Sequence, residues 1–165
     1  MIVQREADDG PGQLVYTGAL TLGLARWSLR GSEYDLGFSA NGEAGLRAAE
    51  NLSLVLLGNV GYSVLSSDYS AVLGSLGAGI RLDRLIPGHV TVGGLASFGS
   101  ISYGGPDAVQ QNAGSTSFSG VAVVAQGSFP ITHGFGIAAQ TTFHTFSSGA
   151  SLFTLTVGPS FGNQP

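Results

Sequence analysis

The chain has 165 residues, of which 10% are charged, and it contains no lysine and no cysteine. The absence of cysteine excludes a disulfide framework and a thiolate metal site, and a net charge of −4 argues against nucleic acid as a partner. Soluble surfaces are typically about 25–35% charged, so this sequence has too few charges to cover an ordinary soluble domain. No apolar run is long enough for a transmembrane helix.

Apolar side chains alternate with small or weakly polar ones along eight segments, as expected for β-strands. The third segment, LSLVLLGNVGYSVL, shows the pattern clearly, because neither of its faces carries a charge. The glycines of GGLASFG blur the alternation in the fifth segment, where we expect a β-bulge that shifts the phase. The predicted strands cover residues 14–30, 34–48, 52–65, 70–83, 89–103, 116–129, 135–146 and 151–162.

The predicted strands are long, and their connections alternate in kind. An ordinary strand averages about 5–6 residues, whereas a tilted membrane-spanning strand needs about 9–11, and every predicted strand is longer than that. AAEN, RLIPGH and THG form tight turns after the second, fourth and sixth strands, while the longest loop, GGPDAVQQNAGSTS, follows the fifth. Loops after odd-numbered strands share one end of an up-and-down barrel, so we expect the long loop at the end opposite the tight turns.

The less apolar face of each strand distinguishes a soluble barrel from a membrane barrel. A water-exposed face would be rich in lysine and glutamate, whereas this face consists of glycine, serine, alanine, threonine, asparagine and glutamine. Such residues suit the narrow interior of a small barrel, which leaves the apolar face for lipid and no strand edge unpaired. The sequence therefore predicts an all-β, eight-stranded antiparallel up-and-down transmembrane β-barrel.

Aromatic residues fall near both ends of the predicted strands, where girdles at the two membrane interfaces are expected. Aromatic residues also flank turns in soluble β-proteins, so this placement supports the membrane interpretation without requiring it. With the N-terminus on the periplasmic side, the outer group is Tyr34, Tyr62, Tyr69 and Tyr103. The inner group is Tyr16, Phe129, Phe135 and Phe161.

The last strand, SLFTLTVGPSFG, resembles the closing strand of bacterial outer-membrane β-barrels. That family ends in an alternating apolar strand that finishes on an aromatic residue, and Phe153, Leu155, Val157 and Phe161 match this pattern. Pro159 departs from it, because an ordinary apolar residue usually holds that position, and so do the four residues GNQP that follow the aromatic. The resemblance extends over the strands by pattern more than by motif, and it implies a Gram-negative outer-membrane location.

This location shapes the predicted domain organisation. The first residues, MIVQREADDGPGQ, are polar and acidic and lack the apolar segment of a secretory signal. Either the protein is made without export, or this is a mature chain without its signal peptide to which a start methionine has been added, and we favour the second. Residues 1–13 are predicted to form a flexible periplasmic tail, residues 14–162 the barrel domain, and residues 163–165 a C-terminal tail. Membrane lipid is the expected partner, and a monomer is the expected state.

Four charged residues fall on the inward faces of the second and fourth predicted strands, near the tight turns. Isolated charges inside a barrel are costly, so we expect them to pair. A gate or narrow polar conduit and a structural ion-pair cluster both fit this pattern, and the narrow interior of an eight-stranded barrel favours the structural interpretation. The charged residues are Glu43, Arg47, Arg81 and Asp83. Other polar residues predicted to face inward are Asn41, Asn59, Gln126, Gln140 and His144.

The segment FHTFSS contains the one enzymatic signal. Outer-membrane lipid A deacylases use a histidine and a serine two residues apart on a strand, and His144 is the candidate base here. Phe146 occupies the serine position of that pattern, although Ser147 and Ser148 follow, and no acid is placed to orient the imidazole. His89 and His133 lie in the tight turns, where we interpret them as solvated residues, and three scattered histidines do not form a metal site.

Arg26 and Arg30 lie at the outer end of the first strand. They could contact lipopolysaccharide phosphates or serve as ordinary anchors at the membrane interface, and the sequence favours neither role. The alternation does not determine whether Trp27, which lies between them, faces inward or outward.

We predict an integral outer-membrane barrel with a side-chain-filled lumen, a structural or surface-interaction role, no catalysis and no cofactor. The alternatives are a narrow channel or a lipid A-modifying enzyme on the same barrel, and a soluble barrel that carries an apolar ligand inside.

Overall fold

Eight strands follow one another around a single closed sheet. The computed structural model describes residues 11–28, 35–66, 69–103 and 114–163. Every strand pairs antiparallel with its neighbours in sequence, and the first strand pairs antiparallel with the last, which confirms the predicted up-and-down barrel. No helix in the described part of the chain is long and apolar enough to cross a membrane. The strands are β1 (Leu14–Trp27), β2 (Asp35–Ala49), β3 (Leu52–Ser66), β4 (Tyr69–Asp83), β5 (His89–Tyr103), β6 (Gly114–Thr132), β7 (Phe135–Phe146) and β8 (Ser151–Gly162).

Some predicted features lie outside the described residues. They are Arg30 and Tyr34, the tails at residues 1–10 and 164–165, and most of the long loop between β5 and β6. The first strand was predicted to continue to Arg30, and in the structure β1 ends at Trp27.

The strands are staggered around the barrel. A row of paired Cα atoms that starts at Thr17 passes through all eight strands and returns to β1 at Trp27, ten residues farther along. With strands about 4.8 Å apart and a rise of about 3.3 Å per residue, this stagger corresponds to a strand tilt of about 40°, which is usual for a closed barrel. About ten residues of each strand then cross an apolar layer about 25 Å thick.

Alternation along the strands places apolar side chains outside and charged side chains inside. Among the described strand residues, Arg26 is the one charged residue on an outward face. The charged residues on inward faces are Asp35, Glu43, Arg47, Arg81 and Asp83. We call the outward-facing large apolar residues the apolar belt; they include Leu20, Leu22, Leu24, Leu36, Phe38, Leu54, Leu56, Val60, Val72, Leu76, Val92, Phe98, Val121, Val123, Ile137, Phe143, Phe153, Leu155 and Val157.

The predicted bulge in β5 is wrong. The strand pairs without a break along His89–Tyr103 with both of its neighbours. The alternation blurs because Leu95 is buried in the lumen while Gly94 faces outward. The inward Gly93 makes room for a neighbouring side chain, since a Cβ at this position would overlap Cδ1 of Leu57. Small and large inward residues therefore complement each other across the lumen.

Residues beyond both predicted limits of the barrel domain join the sheet. The N–H of Arg47 donates to the carbonyl oxygen of Gln13 at 2.9 Å. At the other terminus, the N–H of Asn163 donates to the carbonyl oxygen of Tyr16 at 3.1 Å. The Asn163 side chain accepts from the N–H of Tyr16 and donates to the carbonyl oxygen of Leu14, each at 2.6 Å. Asn163, predicted to begin a tail, thus extends the pairing of the last strand.

The seam between β1 and β8 is interrupted beside Pro159. Pairing covers residues 17–19 of β1, omits residues 20 and 21, and resumes at Leu22. The omitted positions lie opposite Gly158 and Pro159 in this register, and proline has no N–H to donate to the ladder. The interruption of the seam therefore lies beside the one residue of β8 that cannot donate a backbone hydrogen bond.

Cysteine pairs test the closure of the barrel. Leu24→Cys and Leu155→Cys stand on paired positions of β1 and β8, so they should crosslink under mild oxidation in detergent, in a background without native cysteine. Val121 lies outward on β6, away from β1, so Leu24→Cys with Val121→Cys should not crosslink. If Leu24→Cys links to Leu36→Cys on β2 but never to Leu155→Cys, the sheet is open.

Candidate functional site

The lumen beside the tight turns contains a network of buried ion pairs. Arg81, on β4, is fully buried, with Nη1 3.1 Å from Glu43 Oε1 and Nε 2.8 Å from Asp83 Oδ1. The same guanidinium donates hydrogen bonds to Thr17 Oγ1 on β1 and to the carbonyl oxygen of Asn163, each 3.1 Å long. Arg81 therefore connects β4 to β1, β2 and the end of β8.

The structure brings the four predicted charged residues together. Asp83 Oδ2 lies 3.5 Å from Arg47 Nη2, so Glu43, Arg47, Arg81 and Asp83 form one network of two carboxylates and two guanidinium groups. We call these four residues the charged network. Its formal charges cancel, and buried charges need such pairing because desolvation is costly.

His89 is buried, so its interpretation as a solvated turn residue is wrong. The histidine is the first residue of β5 and pairs with Asp83 across the sheet, on inward faces. Its Nε2 lies 2.9 Å from Glu43 Oε1, and the other carboxylate oxygen of Glu43 accepts a 2.6 Å hydrogen bond from Thr91. By contrast, His133 is exposed in the turn between β6 and β7. His89 is already the first residue of the predicted fifth strand, and alternation from the outward Val92 directs its imidazole inward.

Beyond the charged network, the lumen contains a layer of hydrogen-bonded polar side chains formed by Thr21, Ser39, Asn41, Asn59 and Thr156. We call it the polar layer. Thr21 Oγ1 lies 2.7 Å from Ser39 Oγ, donates to Thr156 Oγ1 at 2.9 Å and accepts from the Asn41 amide at 3.1 Å. Asn59 in turn donates to the side-chain oxygen of Asn41. These bonds join β8, β1, β2 and β3 through the interior, where two of the predicted inward polar residues meet.

Two glutamines extend this layer toward the opposite wall. Gln126 and Gln140 stand on paired positions of β6 and β7. The Gln140 amide donates to Thr142 Oγ1 at 3.1 Å. A cavity of about 10 Å³ lies between the glutamines and residues that include Asn59 and Thr91.

His144 is buried farther from the turns and meets a serine that the sequence did not indicate. Its Nδ1 lies 3.0 Å from Ser97 Oγ, which lies 3.0 Å from Ser75 Oγ. The partner belongs to β5, two strands away around the wall, rather than to the FHTFSS segment. No carboxylate is among the described hydrogen-bond partners of His144, and both His144 and Ser97 are only 2% exposed. The pair therefore lacks the access and the orienting acid that a nucleophilic mechanism requires.

An aromatic cluster fills the lumen at the end away from the tight turns. Trp27 stacks on Phe146 with ring centroids 5.6 Å apart, and Phe118 packs edge-on against both rings, at 5.9 Å from Trp27 and 4.6 Å from Phe146. The structure thus settles the facing of Trp27, which is 1% exposed and points inward. We call Trp27, Phe118 and Phe146 the aromatic cluster. Buried apolar residues around it are Ala25, Ala71, Leu73, Ala150 and Leu152.

The described aromatic residues of the predicted girdles face outward. Tyr62 is exposed on β3, and the Phe135 and Phe161 rings lie 5.5 Å apart on neighbouring strands. Tyr34 lies outside the described residues, as do the side chains of Tyr69 and Tyr103. The exposed residues of the inner group are Tyr16, Phe129, Phe135 and Phe161. Their role at a membrane interface stays a prediction.

Solved barrels share this architecture at low sequence identity. The attachment invasion locus protein Ail of Yersinia pestis is 15% identical, with a TM-score of 0.60 over 94% of this chain and 100% of that one. Neisserial surface protein A (NspA) is 18% identical, with a TM-score of 0.56 over 92% and 98% of the two chains. The N-terminal β-barrel domain of Pseudomonas aeruginosa OprF is 15% identical, with a TM-score of 0.57 over 93% and 99%. This chain has the fold of the eight-stranded outer-membrane β-barrels.

No protein-family model matches the sequence, and no curated protein sequence matches it. The side chains of the lumen therefore carry the information on metal binding and catalysis in this chain. Among the described residues, no group of three or more histidine, aspartate or glutamate side chains is placed to hold a metal ion. The charged network is buried and internally paired, which favours a structural role for it over contact with a substrate.

Removing one partner of the charged network tests its energetic weight. Glu43→Ala leaves Arg81 without one of its carboxylates, and loss of one partner of a buried pair costs about 3–5 kcal/mol. The free energy of unfolding of the refolded barrel in urea should fall by about that amount. Glu43→Ala combined with Arg81→Ala should cost less than the sum of the two single changes.

An exposed ion pair supplies the control. Arg84 Nη1 lies 3.3 Å from Glu50 Oε1, with both side chains more than half exposed. Glu50→Ala should change the free energy of unfolding by no more than about 0.5 kcal/mol. A Glu43→Ala effect as small as that of Glu50→Ala would show that the buried network contributes nothing to stability.

Proposed function

We propose that this chain is an integral outer-membrane β-barrel protein with a structural or surface-interaction role and no catalytic activity. The distribution of charge over the barrel wall carries the proposal. The outward faces of the described strand residues carry the apolar belt and a single charged residue, Arg26, whereas the charged network lies inside. A soluble barrel would need the opposite distribution, because its outer wall contacts water.

The fold favours the same role. Ail and NspA share the closed eight-stranded architecture, and the names of both refer to attachment or to the cell surface. Ail has also been solved in complex with the heparin analogue sucrose octasulfate, so one barrel of this fold presents a binding surface for a sulfated ligand. For this chain we propose that the barrel holds the loops at its outer end above the membrane, where they contact other molecules.

The outward-facing side chains of the barrel favour lipid as a partner. The tyrosines and phenylalanines at the two ends of the apolar belt suit the interfaces between hydrocarbon and head groups. Arg26 lies outward near the outer end of β1, where a guanidinium suits lipopolysaccharide phosphates. We propose a monomer, because the closed sheet needs no second chain to complete its backbone pairing.

The alternatives have less support. A carrier of apolar ligands would need an apolar interior, and the lumen instead contains the charged network and the polar layer. A lipid A-modifying enzyme would need a histidine and a nucleophile that reach the outer surface, and His144 and Ser97 are buried beneath the aromatic cluster. A wide diffusive pore would need an open lumen, and side chains occupy this one from end to end.

An arginine placed in the apolar belt tests the membrane assignment. Leu76 is 64% exposed in the middle of β4. Leu76→Arg should lower the free energy of unfolding in a lipid bilayer by about 2–4 kcal/mol, because the charge would lie near the bilayer midplane. The measurement is reversible urea unfolding in phospholipid vesicles.

Leu85 supplies a matched control for the same substitution. It is 65% exposed in the turn between β4 and β5, beyond the end of the apolar belt. Leu85→Arg should cost no more than about 1 kcal/mol, as expected near an interface. Equal costs at Leu76 and Leu85, or a wild-type chain that stays monodisperse in buffer without detergent, would contradict the proposal.

A further inference from the structure

Two cavities in the lumen meet at Asn59. The lower cavity, about 10 Å³, lies beside Gln140, and the upper cavity, about 30 Å³, extends from Asn59 to His144 and Trp27. A buried water needs about 10–15 Å³ of such space and two to four polar partners. Polar residues that line the lower cavity include Asn41, Thr91, Gln126 and Gln140. Those that line the upper cavity include Ser39, Ser63, Thr142, Thr154 and Thr156.

One buried polar atom without a hydrogen-bond partner belongs to a residue that lines the lower cavity. Gln140 is 4% exposed, and its Oε1, beside the lower cavity, has no partner among the described residues. Near the charged network, Ser53 Oγ and His89 Nδ1 also have no hydrogen-bond partner among the described residues, and both side chains are fully buried. A buried polar atom that lacks a protein partner is normally satisfied by ordered water. Water is therefore the ligand that both the space and the chemistry fit.

The lumen changes character above His144. From the charged network to His144, polar side chains line one side of the interior, and apolar residues such as Leu57 and Leu95 line the other. Beyond His144, the aromatic cluster packs with buried apolar neighbours, and the upper cavity ends among them, beside Trp27, Leu73 and Leu152. Water can replace hydrogen bonds in a polar layer, whereas an apolar constriction excludes water by dewetting. The lumen between the charged network and His144 can therefore hold water, whereas the end that contains the aromatic cluster excludes it.

We propose that water occupies a connected path from the charged network through both cavities to His144, and that the aromatic cluster is the barrier that closes the barrel to water and protons. The charged network holds strands together but does not close the lumen. This inference goes beyond the structural or surface-interaction role, since it assigns a bound ligand to the interior and locates the permeability barrier at Trp27, Phe118 and Phe146.

Proton flux into vesicles locates the barrier. The refolded protein is inserted into phospholipid vesicles that contain a pH-sensitive dye, and samples are compared at equal amounts of inserted barrel, scored by the heat-dependent shift of the folded band on a gel. Trp27→Ala with Phe146→Ala should raise the proton flux at least tenfold over the wild type. Glu43→Gln, which neutralises one charge at nearly constant volume, should stay within twofold of the wild type.

Two further variants make the assignment specific. Phe143→Ala removes an aromatic ring that faces outward three residues before Phe146, and its flux should equal that of the wild type. Asn59→Leu, added to the Trp27→Ala and Phe146→Ala background, places an apolar side chain where the cavities meet and should reduce the flux at least fivefold. A tight Trp27→Ala, Phe146→Ala barrel, a leaking Glu43→Gln barrel or an Asn59→Leu change without effect would each overturn the proposal.

A measurement on the wild-type chain does not depend on variants that fold. Magnetisation transfer from water to the side-chain amides of Asn59 and Gln140, measured by NMR in detergent micelles, reports bound water directly. We expect transfer to both amides from water that remains bound long enough to be distinguished from bulk. Absence of transfer at either amide would break the path and overturn the proposal.

Discussion

Lipid offers no hydrogen bonds to a polypeptide backbone, so every strand N–H and C=O within a membrane must find its partner in the chain itself. Pairing of β1 with β8 meets this requirement for the whole sheet. Where Pro159 cannot donate, the seam is interrupted for two residues and then resumes. Past the end of β8, the Asn163 side chain bonds to the backbone of Tyr16 and Leu14, so an amide side chain takes the place of a missing strand neighbour.

Closure with a ten-residue stagger also fixes the width of the lumen, and the interior has to fit it. Glycine on the inner wall provides the necessary room. A Cβ at Gly99 would overlap the carbonyl oxygen of Val72 and lie 2.8 Å from the Phe118 ring. One at Gly120 would overlap the carbonyl oxygen of Thr145 and lie 2.9 Å from the Phe146 ring. The aromatic cluster is therefore built as much from the absence of side chains on the wall as from the rings themselves. The abundance of glycine follows from this narrow lumen, whereas the shortage of charge follows from the apolar outer wall.

Alternation along the sequence was sufficient to predict the number of strands, their order and the inward faces of the charged network, but not the facing of Trp27. It placed Glu43 and Arg81 on inward faces, and the structure adds that they lie 3.1 Å apart. The interpretation of His89 as a solvated turn residue was wrong, although alternation directs this first residue of the fifth strand inward. The predicted bulge in β5 was wrong because a lumen leucine imitates a change of phase. Alternation gave no sign of the contact between Ser97 and His144, because contacts across the lumen depend on the stagger of the complete sheet rather than on any one strand.

Arg81 contacts residues near both ends of the chain. Its guanidinium contacts Thr17 on the first strand, Glu43 on the second and Asn163 after the last. A β3–β4 hairpin that entered the bilayer alone would carry this arginine with only Asp83 on its own strand as a partner, at a high cost in hydrocarbon. The arginine is fully satisfied only when the two ends of the chain have met. If the barrel inserts into a membrane as proposed above, this contact would couple insertion to closure and disfavour partly inserted intermediates.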